Sequence, residues 1–359
     1  MNQNLKPLSV MEQVLELARW APSGDNTQVW RFELLGALHV AVHCYDTREH
    51  CVYDLDGHPS QISYGALFET LAIAASGHCL RADVDRRSDS PQQRPVFDVQ
   101  LVADPSIQPS PLIGAITRRS VQRRPMSARA LTSAEKQALQ ACVGDAYAVM
   151  WLEGFAAKWR AARLMFNNAK LRLTMPEAYE THRAVIHWGV THSADRVPDQ
   201  ALGVDAMTLK LMKWAMVSWK RLATVNRWMG TAAPRMQMDL IPGLACAAHF
   251  VIKARRQPET IDDYVAAGRA LQRFWLTATE LGLQMQPEMT PLIFSKYVRE
   301  KTAFTTIASL HGLAASLERD TAALVFNDNN FPVYMGRVGQ GKQPAARSER
   351  KSLSELMLP

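Results

Sequence analysis

The chain has 359 residues, 47% of them hydrophobic, enough for one large domain or two of ordinary size around a substantial core. Lys and Arg outnumber Asp and Glu by 41 to 34, a formal +7 that is moderate and matters mainly where it concentrates. Five scattered cysteines (Cys44, Cys51, Cys79, Cys142 and Cys246) contain no CxxC, which argues against a disulfide framework or zinc knuckle and for buried free thiols in a reducing compartment.

The N-terminus, MNQNLKPLSVMEQ, lacks a basic stretch followed by an apolar one, so no signal peptide is expected. No apolar run reaches the roughly 18–20 residues of a membrane span, and a soluble, cytoplasmic protein is expected. Residues 9–20 place Val10, Val14, Leu17 and Ala18 at helical spacing. Then comes APSGDNTQVWRF, residues 21–32. Pro22 stops the helix, and Ser23, Gly24, Asp25 and Asn26 are turn formers that tolerate unusual backbone angles. Asn26 and Gln28 add amides that both donate and accept hydrogen bonds. Such a loop suits a planar ring with carbonyl and imide edges; it is also ordinary turn composition.

Residues 30–45 alternate around Gly36-Ala37 and predict a hairpin. Residues 65–75 predict a helix apolar on nearly all sides, hence buried on nearly all sides, closed by Gly77. A charged loop over 85–95 and a strand over 96–102 follow. Residues 104–111, with three prolines, form a linker. Helices are predicted over 112–120 and 132–142, a strand over 246–254, a buried helix over 268–283 and a strand over 331–338. The 268–283 helix echoes 65–80 in its opening Gly, apolar body and terminal Gly, which suggests two related halves. Residues 155–235 interrupt the second half as a helical insertion or lid. Within it, 207–229 predicts one basic amphipathic helix, read as core, lid or subunit contact, with a membrane-surface role as the alternative.

Three further elements carry chemistry. ITRRSVQRRPMSAR (116–129) holds five arginines and no acid, an arrangement that a phosphate monoester would satisfy and that a solvated basic face would also explain. Nucleic acid is disfavoured because no binding module surrounds it. The tail from Gly336 to Leu353 is basic, and Leu353, Leu356 and Met357 beyond it suggest docking. GLQMQPEMTP (282–291) delivers a loop able to present backbone N–H groups to a ligand edge. His182, His187 and His192 are spaced by five, about 140° apart on a helix, so they do not share a face for a metal. Asp54, Asp56 and His58 lack the spacing and closing Glu of a calcium loop. No GxSxG or Walker A occurs.

Together, APSGDNTQVW, the buried Gly-bounded helix, RRSxxR, GLQMQPE and the terminal ERKSL resemble the FMN-dependent nitroreductase family. DTREHCVYDLDGHPSQISYGAL (46–67) further resembles its two-lobed branch, near the Acg-type and molybdopterin-linked nitroreductase-like proteins. The resemblance spans roughly residues 9–140 and 240–357. It implies an α+β fold, an antiparallel-rich sheet flanked by helices, arranged as an internal pseudo-dimer of two lobes, 1–105 and 112–359. It implies FMN as cofactor, NAD(P)H as co-substrate, and reduction of an electrophilic nitroaromatic or quinone-like substrate. A flavin-sequestering protein with an occluded site is the alternative. Partners would be small molecules, with the chain a monomer or homodimer.

Carried over residue by residue, Arg118, Arg119 and Ser120 would hold the FMN phosphate and ribityl chain, and Arg350, with Arg347 or Lys351, would close the phosphate end. Pro22, Ser23, Gly24 and Asn26, with Gln28, would line the isoalloxazine from the other lobe, and Pro287 and Glu288 would lie along its edge. Val29 stands where the family usually has Pro. Gln122 stands where a second Arg or Lys is common, and Arg123 would compensate for it. The resemblance names no catalytic acid or base.

Overall fold

A computed structural model describes residues 7–359; the first six residues of the stretch read for a leader lie outside it. Helix α1 (Val10–Ala18) starts at a capping box, in which Ser9 and Glu12 satisfy one another's free amides, and it buries Met11, Val14, Leu15 and Ala18. The hairpin β1 (Trp30–Gly36) and β2 (His39–Cys44) follows. Helix α2 (His58–Ser76) begins a full two turns before the predicted start, with Gly57 at φ 79° in front of it and Pro59 in its first turn. Strands β3 (Leu80–Arg86) and β4 (Val96–Ala103) complete an antiparallel sheet of order β1-β2-β4-β3.

After the linker, α3 (Ala115–Arg118) is a single turn where 112–120 predicts a longer helix, and α4 (Ser133–Ala141) matches its pattern. Strand β5 (Tyr147–Leu152) enters the second sheet. The insertion runs through α5 (Gly154–Leu173), α6 (Pro176–Val185), the two-residue strands β6 (Ile186–His187), β7 (His192–Ser193) and β8 (Val197–Pro198), then α7 (Ala206–Ala215), α8 (Trp219–Met229), α9 (Ala232–Arg235) and α10 (Ile241–Leu244). The single helix predicted over 207–229 is therefore two, because Ser218 caps α8 with its side chain and breaks the run. Then come β9 (Ala248–Ala254), α11 (Ile261–Glu280), β10 (Leu283–Pro287), α12 (Thr290–Arg299), α13 (Ala308–Val325) and β11 (Phe331–Gln340). The second sheet is also antiparallel, in the order β5-β9-β11-β10.

The α+β architecture thus contains one connectivity twice. Two strands, a helix and two strands build each four-stranded sheet, and in each the third and fourth strands exchange places. The two central helices, α2 and α11, pack on one another through glycine. A Cβ on Gly65 would sit 1.9 Å from the Val265 carbonyl oxygen, and a Cβ on Gly268 would sit 2.0 Å from that of Ile62. Val265 precedes Gly268 as Ile62 precedes Gly65, so the crossing is reciprocal. Only glycine permits this backbone approach.

The tail, β12 (Arg347–Ser348) and α14 (Leu353–Leu356), leaves the second sheet and docks on the first. Leu356 joins the core around Trp30, Phe32 and Phe68, and the Leu358 amide donates to the Phe32 carbonyl at 2.7 Å. The five cysteines are free, but only Cys44 and Cys246 are buried, and Cys79 is exposed. Among the described residues no cluster of three His, Cys, Asp or Glu could hold a metal, and no helix is long and apolar enough to cross a membrane.

Candidate functional site: a cavity beside the crossing helices

A cavity of about 380 Å³, within the range of cofactor sites, opens beside the crossing helices. Ile62, Ser63 and Ala66 of α2 and Leu271 and Trp275 of α11 form its floor. The loop after α1, the end of β10, the tail and the insertion supply the remaining walls.

The loop is strained. Asp25, Asn26 and Gln28 lie at φ 50°, 64° and 50°, in the left-handed region. Such residues cost about 1–3 kcal/mol each unless their surroundings fix them, and they gather at functional sites. Here the surroundings do fix them. Ser23 Oγ accepts the Gln28 amide at 2.9 Å. Asn26 Nδ2 donates to the carbonyls of Ser193, Ala194 and Arg196 at 3.5, 3.2 and 3.3 Å. Gln28 Nε2 donates to Ala194 O at 2.8 Å, and Gln28 Oε1 accepts the Lys351 amide at 2.9 Å. The insertion and the tail therefore clamp the loop from two sides. Pro22, Ser23, Gly24 and Asn26 line the cavity; Gln28 is fully buried behind it and acts as a brace.

Three guanidiniums border the cavity without a carboxylate partner. Arg119 is buried, donates to Trp20 O at 2.9 Å and lies 4.5 Å from the Trp275 ring centre. Arg347 donates to Thr117 O and Arg119 O and covers Trp20 at 5.3 Å. Arg350 donates to Ala21 O at 2.9 Å. None of the three forms an ion pair among the described residues, and the Nε atoms of Arg119 and Arg347 have no hydrogen-bond partner. Burial and Arg347 pull Arg119 down to about 9. Burial, then Arg119, Arg347 and Arg19, hold Arg350 well below its ordinary value. Converging, uncompensated cations are costly in a protein alone, and an anion among them removes the cost. Ser120 and Ser348 line the same cavity.

The other predicted arginine, Arg118, lies elsewhere. It is exposed and paired with Glu280, and it donates to Gly114 O, because the single-turn α3 ends at Arg118 and turns successive side chains to opposite sides. Gln122 is likewise off the cavity. Its Nε2 donates to Lys342 O and its Oε1 accepts the Arg124 amide. Arg123, four residues after Arg119, does line the cavity.

A second charged group borders the cavity, and of its members only Arg123 is marked by the sequence motif. Arg123 is pulled down to about 10, chiefly by burial, with Asp25 opposing and Arg337 and Arg172 adding to the shift. Asp25 is raised by burial against the pull of Arg123 and Arg172. Arg172 pairs with Asp239 at 3.1 Å, and Tyr53 Oη and His182 Nε2 lie 2.8 Å apart. Burial and Arg172 push His182 down to about 3, so its ring is neutral. Pro287 and Glu288 line the cavity where β10 ends. Glu288 bonds His249 at 2.6 Å and Arg337 at 2.8 Å, and its amide donates to Met335 O. The stretch read as a loop is strand β10 up to Pro287, and the Glu288 amide that follows it is taken up by Met335 O. Gln286 Oε1 and Asn26 Oδ1, on residues that line the cavity, are buried acceptors without a partner.

No protein-family model and no curated protein sequence matches the chain. Its structure is similar to those of nitroreductase-like proteins. One is a nitroreductase with bound FMN from Bacteroides fragilis, 7% identical, covering 67% of this chain and 94% of that one at a TM-score of 0.37. Another is an FMN-dependent nitroreductase from Mycobacterium smegmatis in complex with NADPH, at 15% identity, 67% and 94% coverage and TM-score 0.35. A third is iodotyrosine deiodinase bound to FMN and 3-iodo-L-tyrosine, at 11% identity, 67% and 95% coverage and TM-score 0.35. At these identities and scores, function has to be read from the cavity's own chemistry.

Proposed function

We propose that the cavity holds one FMN per chain and that the protein is an FMN-dependent oxidoreductase. The observation that carries this reading is the cluster of Arg119, Arg347 and Arg350, three converging guanidiniums that form no ion pair among the described residues, with Glu349 the one acid acting on any of them. A phosphate monoester is the right charge and the right geometry for such forks. The rest of the cavity fits a planar polar ring. Ile62, Leu271 and Trp275 offer apolar contact, and Asn26 Oδ1 and Gln286 Oε1 are acceptors awaiting a donor. Arg119, Ser120, Arg347, Ser348 and Arg350 would hold the phosphate, and the Pro22–Asn26 loop would meet the ring edge.

Bound FMN would supply hydride acceptance from a reduced nicotinamide and hydride donation to an electrophilic, nitroaromatic or quinone-like substrate. The chain's own contribution is position and field. The clamped loop keeps its strained geometry without reorganising, which is how a site stabilises charge economically. Arg123 and Arg172 border the cavity opposite Asp25 and Asp239, so this wall offers guanidinium donors whose charge is offset.

The repeated strand order and reciprocal glycine crossing support an internal pseudo-dimer. They also support a single site. By the Gly65–Gly268 equivalence, Ala66 on the cavity floor corresponds to Arg269. Arg269 bonds Glu69 at 3.1 Å, so that side of the helix pair is filled by an ion pair.

The flavin-sequestering alternative has one observation in its favour: Met165, Leu202 and Met238 of the insertion line the cavity, and Asn26 ties the loop to that cover. The visible spectrum of FMN-loaded protein, recorded anaerobically before and after NADPH, separates the two. Bleaching of the flavin bands supports turnover, bands that persist support sequestration, and failure to take up FMN defeats both.

A further inference from the structure

The insertion carries the chain's charge. From Gly154 to Leu244 there are thirteen Lys and Arg against six Asp and Glu, a net +7 that equals the formal charge of the whole chain. The remaining residues are therefore balanced, and the excess is a property of this one segment. Within it, the helical pair α7–α8 is more extreme. Residues 206–229 hold Lys210, Lys213, Lys220, Arg221 and Arg227 and no acid. None of these five forms an ion pair among the described residues.

The same pair exposes large apolar side chains. Trp228 is 81% exposed and Met207 80%, and Met229, Val217 and Trp214 are also out in solvent. Helix α8 has no buried residue at all. Its inward side is tied down by Asn226, which donates to Leu173 O, and by Trp219, which packs on Tyr179. A soluble surface that shows two tryptophans and two methionines among unpaired cations is unusual and marks an interaction site. Cations interleaved with Trp and Met are the composition of a helix that lies in a bilayer interface, where anionic headgroups meet the charge and the acyl boundary takes the rings. Arg221 fits this picture, since its guanidinium covers the Trp214 ring at 4.8 Å and gives one amphipathic unit.

We propose that α7–α8 docks this protein on an anionic lipid surface as a peripheral protein. Docking is reversible and salt-sensitive, because five cations and a few partly inserted side chains act without a membrane-spanning element.

The test is co-sedimentation of the full chain with vesicles of phosphatidylcholine alone and of phosphatidylcholine mixed with phosphatidylglycerol, at low and high salt. Binding to the mixed vesicles only, lost at high salt, is expected. Lys213→Glu, Lys220→Glu and Arg227→Glu together should lower the partition coefficient by at least about 100-fold, since each basic residue near such a surface contributes about 1 kcal/mol. These side chains are exposed, so an unchanged thermal midpoint would show that the variant still folds. Brominated lipid should quench tryptophan emission, and Trp228→Phe should remove part of that quenching. Absence of binding to phosphatidylglycerol vesicles at low salt overturns the proposal. So does self-association that the triple variant abolishes, or binding of duplex DNA or RNA in place of vesicles. None of these readouts depends on flavin, so failure here leaves the FMN reading intact.

Discussion

Replacing Arg350 by Met should have opposite effects on two properties. In the flavin-free protein Arg350 is a cation held among Arg119, Arg347 and Arg19, and its compensation is a hydrogen bond to Ala21 O and one to Glu349 O. Each such bond contributes about 1 kcal/mol, while an uncompensated cation in a desolvated position costs several. Methionine keeps the length of the stem and removes the charge. The flavin-free variant should therefore be more stable than the parent by about 1 kcal/mol, a rise of about 2 °C in thermal midpoint for a chain of this size. FMN affinity should fall. A hydrogen bond to a charged group is worth roughly 2–3 kcal/mol, so the dissociation constant should rise about 30- to 150-fold. Riboflavin, which lacks the phosphate, should lose almost nothing. The assay is flavin-fluorescence titration with both ligands, paired with scanning fluorimetry of the flavin-free protein. Equal losses for FMN and riboflavin, or an undiminished FMN affinity, would refute the assignment of these arginines to phosphate.

Gly65→Ala should destabilise by about 3 kcal/mol or more, because its Cβ meets backbone and neither helix can yield locally. Gly24→Ala, with nothing within 4 Å of its added Cβ, should leave the thermal midpoint unchanged and serves as the control. Asn26→Ala removes three ties between the loop and its cover, and it should speed FMN dissociation about tenfold in stopped-flow release, the equivalent of one or two hydrogen bonds. His249 supplies a pH signature. Burial pushes its pKa down, but Glu288, with Cys246, outweighs that and raises it to about 10, above the 6.5 of an unfolded histidine. A raised basic group stabilises fully below 6.5 and loses that contribution as pH climbs toward 10. Urea midpoints should therefore fall across that window, and His249→Gln should flatten the decline.

The fold was legible where pattern and period were strong. The 30–45 hairpin, the mostly apolar 65–75 stretch of α2 and the long α11 stand out in the sequence, as does the echo between Gly65 and Gly268. The site was legible where its residues are adjacent in sequence. Pro22, Ser23, Gly24 and Asn26 form one side, Arg119 and Ser120 another, and Arg347 and Arg350 reach the cavity from the tail. Adjacency also misled. Arg118 and Gln122 belong to the same motif, but a one-turn helix and a strand-like exit send them to Glu280 and Lys342 O. Of the second charged group, Arg123 belongs to the arginine motif, but its partners Asp25, Arg172, His182 and Asp239 carry no local signal. Its members are brought together only by the insertion folding back over the loop. Strain at Asp25 and Gln28 is equally invisible to composition, since it exists only because distant carbonyls hold the loop.

The most direct measurement is the flavin content of purified protein after incubation with excess FMN and removal of the unbound ligand. One FMN per chain, with the spectrum of an enclosed flavin, is the predicted result. A colourless protein, or two flavins per chain, would contradict a single site built beside the crossing helices.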